Sequence, residues 1–285
     1  MSALETTTID FKKIYLEEKR KKKRASNKSN KTATQEESRT TTGIQEVKHE
    51  NYPKLSFPSM TDGFLIDKYR LSYKDPKMYY ISNFLSNDNH FLTWLQSFPG
   101  YTSPTNNNTY QDTISKWTHL PYAKRKVLLF DNNYSPIPNP LQQICNQLST
   151  LFPKDKPPNH ILINEYKTGL EGILPHTDGP NYHSQTATIS IGGDVLFYFM
   201  PRLSTDDIGH DRGDSVADAE VMLEGNGSLL VFSEGLYDDY CHAIKDGLDV
   251  EYASHACCNR EKGFVVKRGY RISLTFRHKY DWVIS

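Results

Sequence analysis

Beyond Pro158 the sequence consists of short apolar segments separated by turns that contain glycine. Segments of this kind are typical of the strands of a β-sandwich or jelly roll, because the glycine turns allow the chain to reverse between strands. The segments that we interpret as strands lie near residues 160–167, 186–192, 194–200, 219–224, 228–233 and 270–277. This part of the chain is therefore predicted to form a β core.

A mixed section precedes this core. Residues 79–85 have the apolar character of a strand that enters a turn, and Ser86 is placed to cap a helix that extends to about residue 98. Short strands are expected within residues 117–130, and a second helix is expected over residues 141–151. We therefore expect a mainly β protein with an α/β N-terminal layer.

The first 72 residues lack the pattern of a packed domain. Six consecutive cations at residues 19–24 lead into residues 25–42, which are rich in Ser, Thr, Asn, Gln and Lys. Such a composition buries too little apolar surface to offset the loss of chain entropy. We expect residues 1–72 to be a basic, largely disordered extension. The cations could belong to a solvated tail, or they could form a nuclear localisation signal or an RNA tether.

Charge is distributed unevenly along the chain, although its formal net charge is +0 at pH 7. Residues 1–50 contain 12 Lys and Arg against 8 Asp and Glu, so the totals of 34 and 34 leave 22 against 26 for the rest. The chain as a whole is therefore not predicted to bind a polyanion. Any basic tether for nucleic acid lies mainly in the N-terminal segment.

The four cysteines are Cys145, Cys241, Cys257 and Cys258. The sequence begins with polar residues rather than an apolar leader, and no stretch approaches the ~20 apolar residues that a membrane-spanning helix needs. We therefore expect a soluble intracellular protein that has no membrane association. We further expect it to be a monomer of the cytoplasm and nucleus. In such a reducing compartment the cysteines are expected to be free thiols.

His176 and Asp178 place an imidazole and a carboxylate two residues apart. In an extended chain residues i and i+2 point to the same side, so both side chains could hold one metal ion. The predicted third ligand is His242, which follows the apolar segment 229–232 and a turn that contains glycine. Two histidines and a carboxylate leave positions open on iron for a co-substrate and O₂. A hydrogen-bonded pair without a metal and a zinc hydrolase site are the alternatives.

Two arginines support an oxygenase rather than a hydrolase. In a strand over residues 271–277, Arg271 and Arg277 share one face with the small polar residues between them. Arginines that point into a sheet protein need anions, because an unpaired buried cation is costly. A dicarboxylic acid would pair with both, since guanidinium offers two parallel donors. Structural salt bridges to acidic neighbours are the alternative.

Asn164 and Tyr166 share a face of the strand that begins near His160. Their amide and phenol groups can both donate hydrogen bonds to carboxylate oxygens, and the tyrosine ring can also form the wall of a pocket. We therefore predict that both contribute to the site of the dicarboxylic acid. The alternative is that they are ordinary strand residues.

In chain order the sequence carries N-x-Y, H-x-D, a later histidine and R-x₅-R. This order and spacing resemble the AlkB family of Fe(II)/2-oxoglutarate-dependent dioxygenases, and the resemblance covers about residues 75–285. Residues 175–180 (PHTDGP) and the pair Tyr80 and Ile81 resemble in particular the branch known as AlkB homologue six.

This resemblance implies a double-stranded β-helix, or jelly roll, with an N-terminal substrate lid. The implied divisions are the extension (1–72), the lid with support helices (73–158) and the catalytic core (159–285).

The resemblance also implies the chemistry. Iron would be bound by His176, Asp178 and His242. The co-substrate 2-oxoglutarate would be held by Asn164, Tyr166 and Arg271, with Arg277 near its iron-chelating end. The implied reaction oxidises a C–H bond, usually of a methyl group, while 2-oxoglutarate and O₂ are converted to succinate and CO₂. We expect a modified nucleobase in RNA or single-stranded DNA as substrate. The alternatives are a protein side chain, or nucleic-acid binding with little or no turnover.

The chain departs from the family at the place where the base is read. Members that repair bases carry an acidic residue two positions after the H-x-D aspartate, whereas this chain has Pro180, which has neither charge nor donor. The segments 202–219 and 246–268 are also longer than the family minimum.

Three further residues are candidates for substrate contact. Trp117 and Tyr182 could stack on a flipped base, and Arg125 could contact a phosphate. The alternatives are core packing for Trp117, loop anchoring for Tyr182 and a solvated strand edge for Arg125.

Overall fold

A computed structural model describes residues 52–58, 66–72, 77–87, 89–100, 115–120, 123–133, 136–202 and 217–280. The strands are β1 (Leu55–Ser56), β2 (Met78–Ile81), β3 (Ser86–Asn87), β4 (Thr118–His119), β5 (Lys126–Asp131), β6 (His160–Tyr166), β7 (Ile173–His176), β8 (Tyr182–Gly192), β9 (Val195–Pro201), β10 (Ala219–Leu223), β11 (Asn226–Ser233), β12 (Tyr240–Ile244), β13 (Val250–Tyr252), β14 (Val265–Lys267) and β15 (Arg271–Lys279). The helices are α1 (Asn89–Gln96), α2 (Asn139–Leu148) and α3 (Gly235–Asp238), and a 3₁₀ helix spans Ile66–Tyr69.

Two antiparallel sheets form the core. The major sheet has seven strands in the order β2-β11-β8-β15-β6-β5-β4, and the minor sheet has four in the order β10-β9-β12-β7. Both inner faces contribute to one apolar cluster, in which Phe232 of β11 and Tyr166 of β6 meet Phe197 and Phe199 of β9. Two sheets that bury their facing sides against each other form the predicted jelly roll, which is confirmed.

The other face of the major sheet is covered by the two longer helices. Leu95 of α1 and Ile144 of α2 pack with Ile163, Ile189 and Leu274 of the sheet, and none of these side chains is exposed. This packing explains why the central strands are apolar on one face throughout, and it confirms the predicted α/β N-terminal layer. Residues 101–114 lie outside the described residues, so the substrate lid stays a prediction.

The predicted boundary of the N-terminal extension at residue 72 is too late. Leu55–Ser56 pairs with β3, the ring of Tyr52 lies 6.5 Å from that of Trp94, and Phe57 lies 5.8 Å from Phe84. The apolar residues of this segment, Tyr52, Leu55 and Phe57, are too few to identify a strand in the sequence, so only their contacts with the core reveal that the segment packs there. The basic run at residues 19–24 lies outside the described residues.

The two predicted helices are present with different limits. Ser86 does not cap α1, because it lies in β3, which pairs with β1 before the helix begins. This pairing depends on a distant segment and cannot be seen in the local sequence. The second helix begins two residues earlier than expected, since Pro140 fits the first helical turn, where no backbone N–H donor is needed. It ends at Leu148 rather than at residue 151.

The longer segment 246–268 folds onto the outer face of the minor sheet. Its residues Ala253 and Val266 pack against Leu196, Tyr198 and Met222. The pairing of β13 with β14 places Val266 opposite Glu251, so that both side chains point towards the sheet. Residues 203–216 of the other long segment lie outside the described residues.

A buried ion pair holds this segment in place. The Arg268 Nη1 atom lies 3.3 Å from Glu251 Oε1, and the two side chains are 3% and 2% exposed. Glu251 Oε2 accepts a hydrogen bond from the Tyr198 hydroxyl at 2.6 Å. Arg268 also donates to the backbone carbonyls of Lys245 and Glu171. The arginine therefore connects the added segment to both neighbouring loops.

We expect Arg268→Met to lower the free energy of unfolding by about 3 kcal/mol, because it leaves the Glu251 carboxylate buried without its cation. Urea unfolding followed by circular dichroism measures this change. The matched control is Lys267→Met, which removes an exposed cation at the neighbouring position and should change stability by less than about 0.5 kcal/mol. Equal stability of the two variants would show that the ion pair contributes nothing.

All four cysteines are free thiols, as predicted. Burial raises the pKa of Cys145, in helix α2, to about 12, so this thiol stays protonated at neutral pH. Among the described residues, none of the helices combines the length and the apolar character that crossing a membrane requires.

Candidate metal centre and carboxylate site

The three predicted metal ligands meet at the edge of the minor sheet. His176 is the last residue of β7, and His242 on β12 is its direct partner in the register of the two strands. Asp178 follows two residues after His176. One ligand atom from each of these side chains lies within 4.8 Å of the others. The structure therefore brings together two imidazoles and one carboxylate in a group that could hold a single ion.

Both imidazoles are held in defined orientations. His176 Nδ1 lies 2.9 Å from the carbonyl oxygen of Leu174, and because a carbonyl can only accept, Nδ1 carries the proton and Nε2 is left for a metal. The His242 ring stacks on Phe197 at 5.4 Å and meets the edge of Phe232 at 5.4 Å. Burial lowers the pKa of both histidines, to about 3 for His242, so both are neutral as metal ligands must be.

The Asp178 carboxylate is held at both oxygens. Oδ1 accepts from Arg277 Nη1 at 2.7 Å, and Oδ2 accepts from the Thr186 hydroxyl at 2.7 Å. Burial alone would raise the pKa of this carboxyl group, but the Arg277 guanidinium and the two histidines outweigh it and lower the pKa to about 2. Asp178 is therefore ionised throughout the neutral range.

The turn after Asp178 depends on Gly179. Its φ is 89°, in the region that glycine adopts without strain. The Tyr237 hydroxyl donates to the Gly179 carbonyl at 3.2 Å, which ties the turn to α3. Pro180, next in the chain, is exposed.

The predicted alternation on β15 is confirmed. Arg271 and Arg277 face the space between the sheets, whereas Ile272, Leu274 and Phe276 are fully buried in the cluster behind the major sheet. The strand lies between β6 and β8, so that Arg271 is opposite Tyr166.

Arg271 has the surroundings of a carboxylate receptor. Only 3% of the residue is exposed. Its Nε donates to the Ser190 hydroxyl at 2.8 Å, and its guanidinium lies 5.2 Å from the centre of the Tyr166 ring. Neither Nη1 nor Nη2 has an acceptor among the described residues. Two adjacent buried donors fit the two oxygens of one carboxylate, so the residues present fit 2-oxoglutarate at this end.

Arg277 differs from Arg271 because it has an acidic partner. It donates to Asp178, and its guanidinium lies 4.4 Å above the ring of Tyr182. Arg277 therefore forms the salt bridge that was the alternative to anion binding, and its partner, Asp178, is itself a candidate metal ligand. The prediction that Arg277 contacts the iron-chelating end of 2-oxoglutarate stays a prediction.

Asn164 and Tyr166 lie on the inner face of β6, next to β15. Asn164 is opposite Ser273, and its Oδ1 accepts a hydrogen bond from Arg125 Nε at 3.0 Å. Burial is the main cause of the lowered pKa of His176, Asp178 and the Leu174 carbonyl oppose this effect, and the charge of Arg125 lowers the pKa further. Arg125 therefore lies beside the candidate metal centre and is not a solvated strand edge.

The other two substrate candidates are placed differently. Trp117 is 4% exposed in the main core, and its indole nitrogen donates to the Leu95 carbonyl at 2.9 Å. This position favours the core-packing alternative over base stacking. Tyr182 is partly buried below Arg277, with its hydroxyl 3.4 Å from His160 Nε2. It belongs to the wall of the site.

Several polar residues of the site were not predicted. Thr186 and Ser190 on β8 hold Asp178 and Arg271, and His160 contacts Tyr182. The two residues on β8 could have been predicted from the sequence, because the polar residues 186, 188 and 190 alternate with apolar ones, as on β15. The contact of His160 with Tyr182 joins two strands that are distant in the sequence, so no local sequence pattern could have predicted it.

Comparison with known proteins agrees with this geometry. A sequence profile described as "2OG-Fe(II) oxygenase superfamily" matches residues 77–277. The chain is 29% identical over 231 residues to a Danio rerio protein named "Probable RNA/DNA demethylase ALKBH6", and the match covers 75% of this chain and 90% of the relative.

Two solved structures are similar at lower identity. The structure of OsALKBH1 matches with a TM-score of 0.44 and 15% identity, over 73% of this chain and 99% of the other. A prolyl hydroxylase from Trichoplax adhaerens matches with a TM-score of 0.38 and 12% identity, over 71% and 83%.

The matched segment starts just before β2 and ends at Arg277, so it contains all three candidate metal ligands and both arginines of β15. It covers more than half of the chain. The chain therefore belongs to the 2OG-Fe(II) oxygenase superfamily, whose members use Fe(II), 2-oxoglutarate and O₂.

Proposed function

We propose that this dioxygenase oxidatively demethylates a modified nucleobase in RNA or single-stranded DNA. The nucleic-acid substrate is supported by the relative from Danio rerio, which is named as a probable RNA/DNA demethylase and matches over most of both chains. The oxygenase chemistry is supported by Arg271, whose two terminal nitrogens are buried and have no acceptor among the residues that the structure describes. Arg271 shares one face of β15 with Arg277, which contacts the candidate metal ligand Asp178.

In this proposal His176, Asp178 and His242 hold Fe(II). When bound, Fe(II) would activate O₂ with 2-oxoglutarate as the reductant: one oxygen atom would end in succinate, formed with CO₂, and the other would hydroxylate the methyl group, which would then leave as formaldehyde. The chain's own residues keep the site ready for the metal. Arg277 and Thr186 hold Asp178 ionised, and the lowered pKa of both histidines keeps each imidazole neutral, so that one ring nitrogen of each is free for the metal.

The same geometry supports a binding mode for 2-oxoglutarate. Arg271 is proposed to pair with the carboxylate far from the metal, and the Tyr166 ring, against which the guanidinium lies, forms the wall beside it. Asn164 is proposed to donate to a carboxylate oxygen from the neighbouring position on β6. Arg277 is proposed to act at the iron end through its contact with Asp178.

Succinate formation that depends on a methylated oligonucleotide tests this function. We expect a methylated single strand to raise succinate formation at least tenfold above the rate without substrate, whereas the unmethylated strand of the same sequence should not. The purified full chain, loaded with Fe(II), is compared with both strands and with methylated peptides. Stimulation by peptide alone would favour the protein-directed alternative. Salt-dependent binding of oligonucleotide without any turnover would favour the binding module.

We further propose that the protein is a monomer of the cytoplasm and nucleus. The nuclear location is supported by the basic run at residues 19–24, which has the charge that an import receptor or RNA recognises. Light scattering of the purified chain and imaging of a fluorescent fusion would check these two points.

A further inference from the structure

Arg125 is a buried arginine that pairs with no acidic side chain in the part of the chain that the structure describes. It is 4% exposed, whereas the side chain of Lys124, next to it, is 66% exposed and pairs with Asp246 at 3.2 Å. The hydrogen bond from Arg125 Nε to Asn164 Oδ1, at 3.0 Å, is its polar contact within the described part of the chain. A buried guanidinium is costly, so its position beside one amide calls for a functional reason.

The contact determines which end of the Asn164 amide faces the site. Guanidinium can only donate hydrogen bonds, so the atom of Asn164 that faces Arg125 must be the oxygen. The amide nitrogen then points away from Arg125 and has no acceptor among the described residues. Asn164 lies on the same sheet face as Arg271, whose two terminal nitrogens also have no acceptor in the described part of the chain. Without Arg125 the amide could rotate and present its oxygen, which repels a carboxylate.

We propose that Arg125 is a positioning residue for 2-oxoglutarate, which fixes the amide of Asn164 so that its NH₂ group donates to a carboxylate of the co-substrate. This inference rests on the proposed 2-oxoglutarate site. It assigns to Arg125 a role in co-substrate affinity rather than in contact with a substrate phosphate.

A double-mutant cycle tests this role. Binding of 2-oxoglutarate to the full chain is measured by calorimetry with Mn(II) in place of Fe(II), so that no turnover occurs. Arg125→Met and Asn164→Ala are each expected to weaken binding about tenfold, the effect of one lost charge-assisted hydrogen bond. The double variant should bind no more than about twofold more weakly than Asn164→Ala, because Arg125 acts through that amide.

Asn164→Asp separates positioning from a structural role. The new carboxylate forms a stronger bond to Arg125 but has no NH₂ group, so we expect an unchanged or raised Tm together with at least a tenfold loss of 2-oxoglutarate affinity. Arg125→Lys keeps a donor near Oδ1 and should recover most of the affinity lost in Arg125→Met. These two conservative variants decide the question if Arg125→Met does not fold.

Three results would overturn the inference. They are unchanged affinity in Arg125→Met, unchanged affinity in Asn164→Asp, and a further tenfold loss in the double variant, which would mean that Arg125 contacts the ligand itself. Failure of the wild-type protein to bind 2-oxoglutarate is a different outcome, because it would contradict the proposed co-substrate site as a whole.

Discussion

Replacing Asp178 with alanine is expected to abolish both iron retention and 2-oxoglutarate turnover. The carboxylate is the anionic member of the three-residue group, and it is held in place by Arg277 and Thr186. Its removal leaves two neutral imidazoles beside the unpaired cation of Arg277, and this cation repels a metal ion. We expect iron content below about a tenth of the wild-type value, since loss of one of three ligands costs several kcal/mol of binding. Metal analysis and succinate formation measure the two effects.

Asp178→Asn accompanies this variant, because it keeps the volume and one acceptor oxygen. The fold should therefore survive, as near-UV circular dichroism would show, while iron is still lost. Asp155→Ala, which removes an exposed carboxylate, is the matched control and should retain wild-type iron. Wild-type iron and turnover in Asp178→Ala would mean that the metal centre is misassigned.

Arg271→Ala is expected to raise the KM for 2-oxoglutarate about 100-fold while the iron content stays unchanged. The guanidinium is buried, and two of its nitrogens find no acceptor within the described ranges of the chain, so a carboxylate placed there makes two parallel charge-assisted bonds. Loss of both corresponds to about 3 kcal/mol of binding, or about two orders of magnitude. Succinate formation as a function of 2-oxoglutarate concentration gives the KM directly.

The conservative change Arg271→Lys keeps the charge but loses the planar pair of donors, so we expect an intermediate KM. Arg260→Ala is the control outside the site, since Arg260 pairs with Glu224 at 2.6 Å and is partly exposed. It should not change the KM. An unchanged 2-oxoglutarate requirement in Arg271→Ala would contradict the assignment of Arg271 to the co-substrate.

Much of the fold and of the candidate site could be predicted because strands have a period of two. Polar and apolar residues alternate along residues 271–277, and this pattern assigned Arg271 and Arg277 to one face before any contact was known. The same period placed His176 and Asp178 together. The density of short segments after Pro158 indicated the β core for the same local reason.

Features that depend on non-local pairing could not be predicted in this way. The packing of residues 52–58 depends on β3 and on rings such as Trp94, and these partners lie thirty or more positions further along the chain. Trp117 is indistinguishable in the sequence from a stacking residue, and only its packing in the core decides between the two roles.

The metal centre depends both on local sequence patterns and on contacts between distant residues. By itself the sequence determined which side chains carry the chemistry, because residue type and the period of a strand are local properties. Only the tertiary structure decided how they meet: His242 beside His176 in the minor sheet, Arg277 of the major sheet on Asp178, and Arg125 on Asn164. The reason is that such contacts depend on sheet order and on the packing of two sheets, which join residues far apart in the chain.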